Sequence, residues 1–450
     1  MTKFVPDQPI SGVLQDQLDL KLFSDRIWQA IQYTDPPFVF GLMGDWGSGK
    51  TSALSILQDQ IRMKAVGEHS CYFVPIWFNA WIYENEANII YPLLHSIKKN
   101  YEDRFQVLEK ADQFSSAFKK VTYVSTMAIS DLAIRSVTNH IVGESLSLND
   151  LVKRLEEFEE KSDALDSVLN RWANDIDNLK DAFEKLLYAY ATALSKKLKN
   201  DGDNIDASKI RFVILIDDLD RCLPQTAISI LENIKNFLSI KSCIYVLALN
   251  QKVIYQGIAT KYQGLNINGR QYLEKIVNYS FYIPQPKDDI LGKFVVNSLK
   301  DLAPDLLDEN TRIAFDNFGH TLKECHFNNP RKIKRVLNQY LLYLSTNLDV
   351  QKLSFLNNIT KLIIMGEYYP EIYQLFVKSP EKAKNALSKL GGMDFSLDDF
   401  KDIQGINIID SYIELKRVKP LFDIDLSIAI YPIEMQIQDV NNTLNIQRCE

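Results

Sequence analysis

The feature that most constrains the fold of this chain is the glycine-rich segment GDWGSGKT at Gly44–Thr51. The apolar run before it, Phe38–Met43, predicts a short buried strand, and the residues from Lys50 to about Ala65 have the periodicity of a helix. A segment of the form G-x-x-x-x-G-K-[ST] between a strand and a helix is typical of a loop that binds phosphate groups. The sequence therefore predicts a site for a magnesium–nucleoside triphosphate.

Each position of this loop has a physical role in holding phosphate. Glycine alone adopts the backbone torsions that turn the N–H groups of the loop inward, where they and the helix N-terminus bind an anion. Lys50 is long enough to reach the β- and γ-phosphates, and the Thr51 hydroxyl is a ligand for Mg²⁺. A chance glycine loop ahead of a helix is the alternative, but the strand–loop–helix context favours phosphate binding. We expect the nucleotide to contact the following residues: Gly44, Asp45, Trp46, Gly47, Ser48, Gly49, Lys50, Thr51 and Ser52.

A second apolar run, Phe212–Ile216, ends in two adjacent acids, Asp217 and Asp218. At the carboxyl edge of a parallel sheet, such acids lie beside the loop that binds the phosphates. Asp217 would then hold Mg²⁺ through water, and Asp218 would orient or deprotonate the water that attacks the γ-phosphate. Two acids that simply open a turn after a strand are the alternative. The presence of the phosphate-binding loop disfavours it.

Asn250 follows a further apolar run, Cys243–Leu249. A polar side chain at the end of such a strand can contact the γ-phosphate or the attacking water, and so sense hydrolysis. Asparagine is equally well suited to cap the N-terminus of a helix. Both interpretations of Asn250 remain open at the level of the sequence.

The order of apolar runs and helical segments predicts an α/β fold, in which helices wrap a parallel sheet. Residues from about 87 to 205 carry almost no strand signal and are rich in Lys, Glu, Leu and Ala, which predicts a helical insert. Toward the C-terminus the periodicity is again helical. We therefore predict a core at residues 1–290 that includes the insert at about 87–205, and a mostly helical lid or partner domain at 291–450.

Net charge and composition limit the classes of partner and the cell compartment that fit this chain. A net charge of −7 argues against a protein whose main role is to coat nucleic acid. The five cysteines are scattered without a CxxC pair, which fits a reducing compartment, and no secretory signal opens the chain. The stretch nearest to a membrane span, Val121–Val142, contains Asp131, Arg135 and His140 and therefore predicts an amphipathic or buried helix. We expect a cytoplasmic protein with no membrane role.

Taken together, the motifs resemble those of the KAP family of P-loop NTPases. The similar stretches, in the order of the family, are Phe38–Leu54, Pro75–Glu84 (PIWFNAWIYE), Arg211–Cys222 (RFVILIDDLDRC), Val246–Ile254, Tyr272–Pro284 and Asn329–Tyr340 (NPRKIKRVLNQY). The FNAW and NPRKIKR elements are more diagnostic than WGSGKT and DDLDRC, which are widely shared. Many members of the family carry paired membrane spans between the two motifs, and this chain departs from them because it has only the weakly apolar Val121–Val142 there.

The resemblance implies an oligomerising or switch-like ATPase whose sheet has an added strand between the P-loop strand and the acid-bearing (Walker B) strand. It also implies that Asp217 is the Mg²⁺ acid and Asp218 the water-activating acid. In the NPRKIKR element, Arg331 or Arg335, one helical turn apart, is a candidate for a sensor or finger arginine that stabilises charge on the γ-phosphate. A solvated basic helix face is the alternative for both arginines.

Two other matched elements carry side chains near the predicted site. In WFNAW, which is FNAW with the preceding Trp77, we expect Trp77, Phe78 and Trp81 to pack against the edge of the sheet rather than to contact the nucleotide, since buried aromatic side chains usually belong to the core. Asn79 is the polar member of that group and the one that could reach the phosphate side. After the acid pair, Arg221 either pairs with its neighbouring acids or reaches a phosphate across a subunit contact.

Two classes of function fit this sequence. In the first, Mg²⁺-dependent binding and hydrolysis of ATP switches the protein or drives its assembly, and so controls a partner protein or a second copy through the insert or the C-terminal helices. Some bacterial relatives are associated with phage exclusion, so the resemblance suggests anti-phage defence. In the second class the chain is a nucleotide-gated scaffold with negligible turnover. No guanine-reading NKxD motif is apparent, which favours ATP, and the sequence does not indicate a nucleic-acid motor.

Replacement of Lys50 by Ala tests the predicted phosphate-binding loop. The variant loses the ammonium group that we expect on the β- and γ-phosphates, so its affinity for ATP falls about tenfold or more. Equilibrium titration with a fluorescent ATP analogue measures this loss. Full ATPase activity in Lys50→Ala would contradict the predicted site.

Overall fold

The computed structural model describes residues 4–10, 12–64, 71–84, 90–105, 113–122, 125, 162–235, 239–263, 267–302, 309–325, 327–346, 353–370, 373–374 and 421. The chain divides into two compact units. The sheet unit comprises Ile10–Leu14 and Leu20–Ile283. The helical unit comprises Met1–Pro9, Gln15–Asp19 and Pro284–Glu450.

A parallel sheet forms the centre of the sheet unit. Its described strands are β1 (Phe38–Met43), β2 (Tyr72–Asn79), β3 (Ile210–Asp217), β4 (Cys243–Leu249) and β5 (Tyr279–Tyr282). Their order in space is β2-β3-β4-β1-β5, and every neighbouring pair is parallel. Strand β4 therefore lies between the P-loop strand β1 and the acid-bearing strand β3, which confirms the predicted α/β fold with its added strand.

Helices cover both faces of this sheet. The described helices of the sheet unit are α1 (Leu20–Gln32), α2 (Lys50–Met63), α3 (Ile90–Phe105), α4 (Ser162–Asn200), α5 (Pro224–Lys235), α6 (Gln251–Lys261) and α7 (Gly269–Glu274). Helices α1 and α2 pack on one face, and α3 to α7 contribute to the core on the other face. The result is a three-layer arrangement with a hydrophobic core on each side of the sheet.

The pleat of the strands explains why their sequences are continuously apolar. In β3, Val213 and Leu215 join the core beneath α1 and α2, whereas Phe212, Ile214 and Ile216 join the opposite core. All five side chains are fully buried. A strand that is buried on both faces has no solvent side on which polar residues would be favoured.

The long helix α4 is joined to the edge of the sheet by a chain of half-buried hydrogen bonds. The Tyr190 hydroxyl donates to Asn100 Oδ1 on α3 at 2.6 Å, and Asn100 Nδ2 donates to the Pro75 carbonyl of β2 at 3.0 Å. Pro75 is tolerated because β2 is an edge strand, where a missing N–H costs no ladder bond. The Tyr190 ring packs edge-on against Tyr101, with 5.0 Å between ring centroids.

Helices α3 and α4 both lie in the stretch for which a helical insert is predicted. The weakly apolar Val121–Val142 falls almost entirely outside the described residues. Among the helices that the structure describes, none is both long enough and apolar enough to cross a membrane.

The described part of the helical unit contains α8 (Asp288–Leu302), α9 (Glu309–Glu324), α10 (Pro330–Thr346) and α11 (Leu353–Tyr368). An N-terminal segment is held on α10 by paired hydrogen bonds. The Val5 N–H donates to Asn338 Oδ1 at 2.7 Å, and Asn338 Nδ2 donates to the Val5 carbonyl at 2.9 Å. The role of this unit as a lid or partner domain stays a prediction.

The Tyr190→Phe variant tests how firmly α4 is held on the sheet unit. It leaves the half-buried Asn100 Oδ1 without its donor, so we expect the free energy of unfolding to fall by about 1 kcal/mol. Tyr188→Phe is the matched control, because Tyr188 lies on the same helix and is 65% exposed. Denaturant unfolding of both variants gives the comparison, and equal stabilities would contradict this role of the Tyr190 hydroxyl.

Candidate nucleotide-binding site

The loop between β1 and α2 has the backbone that a phosphate-binding loop requires. Gly47 and Gly49 have φ values of 78° and 100°, a region that side chains other than glycine rarely adopt. A Cβ built at Gly44 would lie 2.5 Å from Ser48 Oγ, so a larger residue there would force the Ser48 side chain to move. The Gly44 N–H donates to the Leu249 carbonyl of β4 at 3.1 Å, which joins the start of the loop to the neighbouring strand.

Lys50 folds back over this loop and meets an acid. Its Nζ donates to the carbonyls of Gly44 and Asp45 at 2.9 and 3.1 Å, and it lies 2.7 Å from Asp220 Oδ2. The Lys50 and Asp220 side chains are only 8% and 4% exposed. In this geometry a carboxylate of the chain itself neutralises the ammonium group that we expect to bind the phosphates.

The sequence prediction did not include Asp220. It lies in a 3-10 turn, Leu219–Arg221, directly after the acid pair. The Trp46 indole N–H donates to the Asp220 carbonyl at 3.2 Å, so both the main chain and the side chain of Asp220 contact the P-loop. The signal that could have revealed it is the spacing of the DDLD segment, where a third acid follows Asp217 by one tight turn.

Asp217 and Thr51 lie together where a magnesium ligand set is expected. The Thr51 hydroxyl is hydrogen bonded to the Asp217 carboxylate, whose Oδ2 is buried and has no hydrogen-bond partner. Burial, and then the neighbouring charge of Asp218, raises the pKa of Asp217 to about 6. A bound cation would offset both effects, because it favours the charged carboxylate.

The donor set therefore fits magnesium held jointly by the protein and a nucleotide. Within the described ranges, no group of three or more His, Cys, Asp or Glu side chains is arranged to hold a metal. Magnesium usually keeps several waters and binds through one or two protein oxygens together with the phosphates of the substrate. The buried Ser48 Oγ, which also lacks a hydrogen-bond partner, adds an unsatisfied polar group inside the loop.

Asp218 is held from two directions. Its backbone is in the left-handed region, with φ of 59° and ψ of 22°. Arg221 Nε lies 2.7 Å from Asp218 Oδ1, and Asn79 Nδ2 donates to Asp218 Oδ2 at 2.8 Å. Of the two predicted roles of Arg221, the structure shows the pairing with a neighbouring acid, which is Asp218.

The predicted positions of the aromatic side chains in and beside the FNAW element are only partly correct. Phe78 is buried in the core, as expected, and Trp77 packs against the core beneath α1 and α2. The expectation that Trp81 packs against the sheet edge is wrong, since its side chain is 46% exposed. It lies instead against the guanidinium of Arg221, whose Cζ is 5.4 Å from the ring centroid.

Asn250 caps α6, which is one of its two predicted roles. Its side chain accepts a hydrogen bond from the Lys252 N–H at 3.0 Å. Asn250 is buried at the carboxyl end of β4, one residue after the carbonyl that bonds Gly44. A second role in contacting the γ-phosphate stays a prediction.

The remaining predicted residues of the loop lie toward its surface or on α2. Trp46 is 57% exposed, and Asp45 Oδ1 lies 3.5 Å from the exposed Lys252. Ser52 Oγ accepts a weak hydrogen bond from the Ile10 N–H at 3.4 Å.

Arg331 belongs to the helical unit, where its Nε lies 2.9 Å from Asp7 Oδ2. Arg335, one turn further along α10, lies 3.3 Å from Glu367 Oε1. Both arginines thus have acidic partners within their own unit. A sensor or finger role for Arg331 stays a prediction.

A P-loop at the end of β1, with a buried acid at the end of β3, defines a P-loop nucleotide-binding protein. The model of the KAP family P-loop domain matches residues 20–347. The chain therefore belongs to the KAP family, which confirms the resemblance found in its motifs.

The Phage T7 exclusion protein of Escherichia coli (strain K12) is 22% identical over 312 residues. The aligned region covers 67% of this chain and 38% of that relative, so this chain spans well under half of the relative's length. Two structures of the Aeropyrum pernix ORC2 protein, in ADPNP–ADP complexes and in an ADP form, align with 99% of this chain and with 98% and 97% of their own. Their TM-scores are 0.35 and 0.34 at 13% and 12% identity, which adds nothing to what the sheet order establishes.

The Asp220→Asn variant tests the competition between this acid and phosphate for Lys50. Without the carboxylate, the buried ammonium loses its counter-ion, so we expect a less stable nucleotide-free protein. Phosphate then binds Lys50 without a rival, and affinity for the nucleotide rises about tenfold.

Thermal unfolding and nucleotide titration measure the two effects separately. Asp206→Asn is the control for the lost charge, since Asp206 is exposed and caps a 3-10 turn at the opposite end of β3. If Asp220→Asn binds the nucleotide no more tightly than the unmodified chain, the Asp220 carboxylate and the phosphate do not compete for Lys50.

Proposed function

We propose that this chain is a Mg²⁺-dependent ATPase that acts as a switch or an assembly factor. The observation that carries this proposal is the meeting of Thr51, Asp217 and Asp218 with the Lys50 loop at one edge of the sheet. These residues supply a phosphate cradle, a pair of magnesium ligands and a further acid, which together are the parts that hydrolysis of a nucleoside triphosphate requires.

Each side chain has a separate task in this proposal. Lys50 and the loop N–H groups bind the β- and γ-phosphates, and Thr51 and Asp217 are the residues that would hold magnesium. The metal, when bound, neutralises charge that develops on the phosphate oxygens. Asp218 orients the water for attack on the γ-phosphate and accepts its proton.

The same geometry also gives reason to expect slow turnover. Lys50 is ion-paired with Asp220, and both side chains are almost fully buried. This ion pair must open when Lys50 binds the phosphates, which suits a switch better than a rapid hydrolase. A scaffold that binds ATP with negligible turnover is the second candidate, and the ion pair of Lys50 with Asp220 also favours it.

We further propose that the nucleotide controls contact with a partner protein or a second copy of the chain. The predicted insert and the C-terminal helices are the candidate contact regions. The name of the Escherichia coli relative supports a role in excluding phage, although the 22% identity covers only part of that protein. We propose ATP over GTP because no guanine-reading motif is apparent, and cytoplasmic action remains part of the proposal.

The Asp218→Asn variant separates binding from turnover. It keeps the size of the side chain but removes the base, so we expect ATP affinity to be unchanged and kcat to fall about 100-fold or more. Asp217→Asn is the paired variant, and it should lose Mg²⁺-dependent affinity. Phosphate release and ATP titration give both quantities. Loss of Mg²⁺–ATP affinity in Asp218→Asn, with normal affinity in Asp217→Asn, would reverse the two roles.

The class of function is tested on the unmodified chain. We expect slow phosphate release that DNA and RNA do not stimulate, and a change in molecular size when a nonhydrolysable ATP analogue binds. Tight ATP binding without phosphate release would favour the scaffold function over the ATPase. Stimulation of phosphate release by DNA or RNA would indicate a motor. An unchanged size would contradict nucleotide-controlled assembly.

A further inference from the structure

The FNAW and DDLDR elements meet at the Asp218 carboxylate, although Asn79 and Asp218 are 139 residues apart. Strands β2 and β3 are paired in register so that Asn79 lies opposite Asp217. The Ala80 N–H donates to the Asp217 carbonyl at 3.0 Å and extends this pairing beyond the end of β2. The backbone therefore fixes Asn79 beside the acid pair.

The orientation of the Asn79 amide follows from its other contacts. Asn79 Oδ1 accepts hydrogen bonds from the N–H groups of Trp81 and Ile82, at 3.0 and 3.3 Å. A flipped amide would place its NH₂ group against these two donors and its oxygen against the Asp218 carboxylate. Only the observed orientation satisfies every partner, so Asn79 presents a donor to Asp218.

Arg221 holds the other oxygen of the same carboxylate in a different way. Its side chain is 39% exposed and lies against the exposed ring of Trp81, whereas the Asp218 side chain is 10% exposed. Asn79 is thus the fixed contact of Asp218, and Arg221 is the contact that faces solvent. Asn79 and Arg221 together fix the orientation of the Asp218 carboxylate. The backbone of Asp218 is in the left-handed region.

We propose that Asn79 and Arg221 are positioning residues for Asp218, which hold its carboxylate in the orientation that hydrolysis needs. This inference rests on the proposed function, because it gives Asp218 the role of orienting the attacking water. It assigns a task to the FNAW element that packing alone does not explain. A misplaced base lowers the rate of the chemical step and leaves ground-state binding unchanged.

The Asn79→Asp variant is the sharpest test. An aspartate still accepts from the Trp81 and Ile82 N–H groups and has the same size, but it places a carboxylate against Asp218 and cannot donate to it. We expect kcat for ATP to fall about tenfold or more, with KM and ATP affinity within about twofold of the unmodified chain. Asn79→Ser, which also keeps an acceptor, should lower kcat in the same direction if Asn79→Asp does not fold.

Asn278→Asp is the matched control. Asn278 also accepts a hydrogen bond from a backbone N–H through Oδ1, from Val39 at 2.9 Å, but it precedes β5 at the amino edge of the sheet. Its kcat should equal that of the unmodified chain. Thermal unfolding of all variants corrects for any difference in the folded fraction.

A double variant shows whether Asn79 and Arg221 act through the same group. If both position Asp218, the double variant Asn79→Ser/Arg221→Ala retains a larger fraction of kcat than the product of the fractions that the two single variants retain. Strictly multiplicative losses, or a normal kcat in Asn79→Asp and Asn79→Ser, would overturn the inference while the ATPase proposal stands. Absence of turnover in the unmodified chain would overturn both.

Discussion

The parallel pairing of β3, β4 and β1 is the constraint on which the rest of the structure depends. Parallel strands place all of their carboxyl ends at one edge of the sheet. The P-loop after β1 and the acids after β3 therefore meet there, although they are far apart in sequence. The bond from the Gly44 N–H to the Leu249 carbonyl joins the loop to the strand between them. Burial on both faces makes this arrangement stable, because each strand contributes apolar side chains to two cores.

Charge is concentrated at this edge. Lys50 lies against Asp220, Asp218 against Arg221, and Asp217 retains a buried oxygen with no partner. Buried charges are stable only when paired, so in this geometry the chain satisfies Lys50 and Asp218 with its own side chains. Lys50 would exchange Asp220 for phosphate when a nucleotide binds, so this ion pair would be replaced rather than added to.

The sequence predicted those parts of the fold and the site that depend on local pattern. Strands such as Phe212–Ile216 were recognisable because continuous apolar runs are typical of buried parallel strands, and the P-loop because its glycines meet a backbone requirement. The DDLD spacing indicates that Asp220 lies near the site, but the partners in the Asp220–Lys50 and Asn79–Asp218 contacts were not predictable from the sequence. Each contact joins side chains that are more than a hundred residues apart. The pattern of apolar residues does not show whether Asp218 or Asp220 will form the ion pair with Lys50. Trp81 was misplaced because apolar character alone does not distinguish a core aromatic from one that lies beside a guanidinium.

The long helix α4 shows that an insertion in sequence need not be an appendage in structure. Its residues Leu179, Phe183 and Leu186 are buried in the same core as Phe212 of β3, and Tyr190 continues the row. Helix α4 is therefore part of the helical layer on one face of the sheet. A chain shortened by the whole predicted insert would lose α3 and α4 and expose to water the apolar side chains that they cover, although α5 to α7 would still pack on the same face of the sheet.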